Sequence, residues 1–210
     1  GICSVGADAV YVGVVPTPAI AYLTRHYGYD AGVVISASHN PSEYNGIKFF
    51  NGDGYKLSDL LEDEIEEVMR MNSAELPMPV GGEVGHITYR YDAKDDYVRF
   101  ACSLIDLDLS GLKIVVDTAE GASYYTAPKT LESLGAKPVV IHNHPDGVNI
   151  NRACGSTHME ELKKRVVEEG ADLGIAFDGD ADRMLAVDEN GNMVDGDQIM
   201  AICGLYMRNQ

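Results

Sequence analysis

Three aspartates stand at alternate positions in Asp178-Gly179-Asp180-Ala181-Asp182-Arg183, directly after the apolar run Leu173 to Phe177. In a loop bending off a strand end, that spacing turns three carboxylates toward one point. Gly179 and Ala181 keep the intervening positions small. Three like charges cannot converge without a cation, because their repulsion drives the pKa values up. The donors are hard oxygens with no Cys or His nearby in sequence, so Mg²⁺ is the expected ion, ahead of Mn²⁺ or Ca²⁺. The plain alternative is a polar loop exposing three unrelated acids.

Two other readings use the same residues. Asp178, Asp180, Asp182 and Glu189 occupy positions 1, 3, 5 and 12 of an EF-hand, with Leu185 at the apolar position 8. Position 6, however, is Arg183 where the sharp turn requires Gly, and the flanks read as strands. A haloacid-dehalogenase-type phosphatase also runs a strand into Asp-x-Asp, but Asp182 replaces the usual hydroxyl or apolar residue.

A second constellation lies in Ile35-Ser36-Ala37-Ser38-His39-Asn40-Pro41, followed by Asn45-Gly46-Ile47-Lys48. A serine at a strand end among polar residues is a nucleophile candidate. By itself it more often bonds backbone in a turn. His39 alone reads more simply as a structural hydrogen-bonder than as a base. Asn40-Pro41-Ser42 is no glycosylation acceptor, because proline holds the middle position.

The elements that must carry these loops alternate. Ala9 to Val15 reads as a buried strand. Thr17 then caps a helix with Pro18 at N1, running Ala19 to Tyr27 and stopped by Gly28. Ala31 to Ala37 is a second buried strand and Ile47 to Phe50 a short one. Leu57, Leu60, Leu61, Ile65, Val68 and Met69 recur at helical spacing, with Ser58 placed to cap. The Pro- and Gly-rich stretch from Asn72 to Gly85 closes a first domain, and a helix near Asp92 to Ile105 leads into a second. There the pattern restarts: strand Lys113 to Val116, helix Ser123 to Leu134, strand Pro138 to Ile141. A capping box, Thr157-x-x-Glu160, opens a helix ending at Gly170. Strands Leu173 to Phe177 and Met184 to Val187 follow, with a turn at Asn190-Gly191, and Asp195-x-x-Gln198 opens a last helix. The expectation is two consecutive α/β domains, 1–90 and 91–210, with mostly parallel or mixed sheets flanked by helices.

Bulk properties narrow the partners. The 210 residues are 45% hydrophobic and 23% charged, a globular composition. The formal net charge of −17 repels nucleic acid and anionic membranes. A phosphorylated small molecule binds such a chain only where cations reverse the local field. No apolar run approaches the roughly 20 residues that span a bilayer, and no secretory h-region opens the chain. Cys3, Cys102, Cys154 and Cys203 lack C-x-x-C spacing, which argues against a zinc site or a disulfide framework and for a reducing, cytoplasmic setting. The start at Gly1 and the stop within an expected helix read as part of a longer protein.

Ser36 to Lys48 (SASHNPSEYNGIK) together with Phe177 to Arg183 (FDGDADR), one α/β unit apart, resembles the α-D-phosphohexomutase family. The similarity extends over essentially the whole chain. Gly147 to His158 (GVNINRACGSTH) and Asp188 to Met200 (DENGNMVDGDQIM) look like the branch that interconverts glucosamine 6-phosphate and glucosamine 1-phosphate, rather than the phosphomannomutase or phosphoglucomutase branches. The resemblance implies an isomerase of amino-sugar metabolism in which Ser38 carries the phosphoryl group and Ser36 is a non-catalytic neighbour. It implies Asp178, Asp180 and Asp182 as ligands of Mg²⁺, completed by a phosphate oxygen on Ser38. Arg183 would contact that phosphate, while His39, Asn40 and Lys48 line the site and Lys48 is a candidate for proton transfer. One departure is Asp-Ala-Asp where many relatives have Asp-Gly-Asp, since Ala181 disfavours φ > 0. The family has four domains, and its sugar-recognition and distal phosphate loops resemble nothing in these residues. Alone, the chain is therefore expected to bind Mg²⁺ weakly and to turn over negligibly. The expected partners are a sugar phosphate and, in a homodimer, a second copy. A metal-binding module without turnover is the non-enzyme alternative.

Overall fold

Strands and helices alternate through the computed structural model, which describes residues 1–71 and 76–208. The first unit holds β1 (Ala9–Tyr11), α1 (Thr17–Tyr27), β2 (Ala31–Ser36), β3 (Gly46–Asn51), α2 (Asp59–Arg70) and β4 (Ile87–Tyr89). The second holds α3 (Ala93–Ser103), β5 (Lys113–Asp117), α4 (Thr126–Ser133), β6 (Lys137–Ile141), α5 (Glu160–Glu169), β7 (Leu173–Phe177), β8 (Met184–Asp188), β9 (Met193–Val194) and α6 (Gly196–Arg208). The start of the Pro- and Gly-rich stretch, 72–75, lies outside the described residues.

In the first unit β2 and β3 pair antiparallel, from Ala31 opposite Asn51 to Ser36 opposite Gly46. Gly32 and Val34 turn inward, and the period of two puts their partners Phe50 and Lys48 on the same face. The contact with α1 is close: a Cβ on Gly32 would stand 2.3 Å from Thr24 Oγ1. The opposite face, with Val33, Ile35, Ile47 and Phe49, is exposed, so β2 is half-buried rather than buried as expected. The expected strand Ala9 to Val15 shortens to Ala9–Tyr11, which pairs parallel with β4. Gly13 at φ +85° turns the chain out of the extended run. Ser58 stands at the start of α2 but makes no capping bond, and Leu60, Leu61, Val68 and Met69 on that helix are exposed.

The second unit is a five-stranded sheet in the order β6-β5-β7-β8-β9. Its first three strands are parallel and its last two antiparallel, so the sheet is mixed. Both faces of β5 are covered. Val115 packs with Leu162 and Val166 of α5, while Ile114 and Val116 pack toward Leu131 of α4. Each such fully buried side chain is worth about 1.5–3 kcal/mol of transfer free energy. Between the units, α3 packs against both α1 and α4, and Ala93 and Tyr97 join the cluster around Ala19 and Leu23. The loops at the carboxyl ends of β5 and β7 lie side by side, since Ala122 N donates to Gly179 O (2.7 Å). That rim is where α/β sheets present their sites.

Two expected helix starts differ. Thr157 lies in a 3-10 turn, Gly155–Thr157, and α5 begins at Glu160 without a side-chain cap. Residues before Thr126 form turns, so α4 starts three residues later than expected. Gly28 and Gly170 end their helices in the left-handed region, at φ +69° and +57°. The box opening α6 forms in both directions: Gln198 N donates to Asp195 Oδ1 and Asp195 N to Gln198 Oε1, each at 2.9 Å.

Candidate active site

β7 ends at Phe177, and the chain turns sharply so that ligand atoms of Asp178, Asp180 and Asp182 lie within 4.8 Å of one another. The turn needs Ala181 at φ +56°, the conformation that an L-residue with a Cβ disfavours. Asp178 and Asp180 are buried and Asp182 is exposed. Arg183 holds Asp178 through its backbone N–H (3.1 Å to Oδ1) and its Nη2 (2.9 Å to Oδ2). Burial, with the negative charges of Asp180 and Asp182, pushes the Asp178 carboxyl above its usual range, against the opposing pull of Arg183.

Asp180 is the meeting point. Its Oδ2 accepts from Lys48 Nζ and from Thr17 Oγ1, both at 2.6 Å, and its Oδ1 accepts from Ser38 Oγ at 3.0 Å. Burial alone would raise this carboxyl, but the three donors outweigh it and hold the group below its ordinary value. Lys48 also reaches Asp182 Oδ2 at 3.3 Å. Partial burial works against its charge, yet the bonds to Asp180 prevail and its pKa is raised, so the ammonium form dominates.

Ser38 sits at φ +55°, with its N–H donating to Ser36 Oγ at 3.0 Å. The neighbour Ser36 thus braces the loop. His39 is exposed and its Nδ1 accepts from Arg183 Nη2 at 2.6 Å. Asn40 is exposed and engages through its main chain, its N–H bonding Ala37 O and its carbonyl accepting from Asn151 Nδ2. The structure therefore brings Ser38, His39, Lys48, Asp178, Asp180, Asp182 and Arg183 into one cluster. Of Asn40, only the backbone joins it.

Two residues of this network escape sequence reasoning. Thr17 reads as a helix cap, but Pro16 occupies that position and the Thr17 hydroxyl goes to Asp180, 163 residues away. Asn151 donates to Ser38 O (2.8 Å) and Asn40 O (2.9 Å) across the same junction. No local pattern signals either contact.

The donor set fits a hard divalent cation: three carboxylates converge, with ligand atoms within 4.8 Å of one another and no soft donor among them. Asp178, tied by Arg183 and 1% exposed, is not presented as a nucleophile of the phosphatase type. Strands β7 and β8 flank the loop in place of the helices of an EF-hand.

Sequence profiles of the phosphoglucomutase/phosphomannomutase α/β/α domains I and II match residues 1–75 and 95–191. The chain belongs to the phosphohexomutase family. Among curated phosphohexomutases, the phosphoglucosamine mutase of Clostridium novyi is 63% identical over 210 residues, covering 100% of this chain and 47% of that protein. The phosphoglucosamine mutase of Acetivibrio thermocellus is 61% identical with the same coverage. The chain thus spans about half the length of the curated relatives it matches. A crystal structure of a phosphoglucomutase/phosphomannomutase family protein from Burkholderia thailandensis superposes with a TM-score of 0.76 at 26% identity, covering 98% of this chain and 46% of that one. Among the described residues, no helix is long and apolar enough to cross a membrane.

Proposed function

We propose that this chain carries the phosphoryl-transfer centre of a phosphoglucosamine mutase, interconverting glucosamine 6-phosphate and glucosamine 1-phosphate through a phosphoserine and a bisphosphate intermediate. One observation carries the reading. Ser38 Oγ, in the first α/β unit, meets Asp180 Oδ1 of the second at 3.0 Å, inside a ring of carboxylates. The high identity to phosphoglucosamine mutases supports the sugar assignment.

Ser38 is the carrier, and Asp178, Asp180 and Asp182 are the residues that would hold Mg²⁺. A bound ion supplies charge neutralisation to a phosphoryl group that would otherwise be repelled by three acids. Thr17 fixes the Asp180 carboxylate from the side opposite Ser38, so its orientation does not depend on the serine. Arg183, tied to Asp178 and His39 yet 54% exposed, offers its remaining donors to phosphate oxygens. Lys48 is the proton carrier. As the Oγ–P bond breaks, Lys48 gives a proton to Ser38 Oγ; as the sugar's new O–P bond forms, Lys48 recovers the proton of that hydroxyl. Its raised pKa suits the donating half of this exchange. The unit at 1–90 brings the serine and the unit at 91–210 the acids. With four free cysteines, the setting is the reducing cytoplasm.

The test is to incubate the protein with hexose 1,6-bisphosphate labelled in its phosphates, then map the label. Label on Ser38, lost in Ser38→Ala and reduced by chelation of Mg²⁺, is the expected result. Label on another residue, or equal labelling of Ser38→Ala, overturns the reading.

A further inference from the structure

The segment Gly147 to His158 has no part in the site chemistry, yet it bonds the main chain of the serine loop at two points. Asn151 is buried at φ +58°, and its amide nitrogen spends both hydrogens on Ser38 O and Asn40 O. Among the described residues its buried Oδ1 has no partner and the side chain makes no other hydrogen bond. An asparagine that serves its own unit would place that acceptor too. This one is held for its two donors.

The seat is rigid from beneath. Asn151 N donates to Ala119 O at 2.9 Å, while Asp117 accepts from Ala119 N and Gly155 N, both at 2.8 Å, at the end of β5. Beside it, Gly179 lets the serine loop close in: a Cβ there would lie 2.5 Å from Ser38 O and 2.6 Å from the Ile150 side chain. Ile150, Asn151 and Gly179 therefore form a cradle for the backbone of residues 38–40, on the far side of the unit junction from β2.

We infer that Asn151 is a positioning residue for phosphoryl transfer: its two N–H groups fix the left-handed turn at Ser38, and so the direction of Oγ toward Asp180. The inference rests on Ser38 being the phosphoryl carrier. Asn151 touches neither the hydroxyl nor the carboxylates, and it acts through the carbonyls on either side of His39. A turn freed of these bonds relaxes away from φ +55°, and a displacement near 1 Å at a reacting atom is enough to cost about 100-fold in rate.

The test uses Asn151→Gly and Asn151→Asp in a full-length enzyme. Glycine keeps φ > 0 without strain, and aspartate keeps the shape while replacing both donors by acceptors. The expected result is a fall in kcat of about 10- to 100-fold with KM within about threefold. Faster amide deuterium exchange at residues 36–41, with exchange at 178–183 unchanged, is expected alongside. A purely structural role would lower the melting temperature and the active fraction but leave kcat per phosphorylatable site unchanged. That result overturns the inference, as does kcat within about threefold of the parent in either variant. Failure of both variants to fold overturns it too. Ser38→Ala in the same protein separates the two claims: if it retains turnover, the carrier assignment fails, while the exchange data still report whether Asn151 holds the loop.

Discussion

Gly179→Ala tests how tightly the two loops are apposed. Gly179 is not among the residues with positive φ, so alanine meets no backbone penalty and the effect is purely one of space. The new Cβ would stand 2.6 Å from Ile150 Cγ1 and Cδ1, which can rotate, and 2.5 Å from Ser38 O, which cannot because Asn151 holds it. Ordinary contact for such a pair begins near 3.4 Å, so the serine loop must withdraw by roughly 0.9 Å. That carries Ser38 Oγ out of its 3.0 Å bond to Asp180. The overpacking costs about 1–3 kcal/mol, and each kcal/mol lowers the melting temperature by about 2–4 °C in a chain of this size. Turnover of the full-length enzyme, assayed by coupling formation of the hexosamine 1-phosphate, should fall about 10- to 100-fold, as expected for a misplacement near 1 Å. A Gly179→Ala enzyme with its melting temperature within about 1 °C and kcat within about twofold of the parent would refute the apposition.

Three other changes probe separate parts of the structure. Ala181→Gly should relieve the left-handed strain of the aspartate turn and raise stability by up to about 1 kcal/mol in urea denaturation, whereas a loss of stability would mean the turn does not need φ > 0. The Asp117 carboxylate, 3.0 Å from Nδ1, raises the pKa of His142, helped by Glu161 and opposed by burial. Its contribution is thus complete below the unfolded value near 6.5 and fades as pH rises through the higher folded value. Denaturation midpoints should drop across that window, and His142→Asn, which tolerates the φ of +50°, should flatten the drop. Burial, with Asp117, Glu120 and Glu161 nearby, pushes the Cys154 thiol up to about 12. At pH 8 a thiol reagent should therefore label exposed Cys203 and leave Cys154 unmodified until the protein unfolds, as peptide mass mapping would show.

Features that were legible in the sequence are those with local causes. The bounds of β7 follow from an apolar run between a Gly170 helix stop and a charged loop, and the box at Asp195 and Gln198 needs only its own three-residue spacing. The identical logic fails at Thr157, because Gly155 packs against Ala119 and the carbonyl of Phe177 and draws the threonine into a tighter turn. Thr17 is lost for a related reason: a buried carboxylate competes for its hydroxyl and outbids the helix end. Within the site, the alternating aspartates announce themselves because a strand leads straight into them. Asn151 does not, since its partners lie 113 and 111 residues earlier and belong to the main chain. The exposed faces of β2, β3 and α2 carry apolar patterns that read as core, and periodicity alone does not say whether anything covers them.

The pairing of Ser38 with Asp180 has a consequence for biogenesis. Ribosomes add about 5–20 residues per second, so the 142 residues separating the two occupy roughly 7–28 s of synthesis. For the first 113 of those residues the nascent serine loop has neither its carboxylate nor the amide that seats it, and until Asp180 emerges it still lacks the carboxylate. A ribosome that stalls before β7 therefore leaves a chain whose serine loop never meets the Asp180 carboxylate.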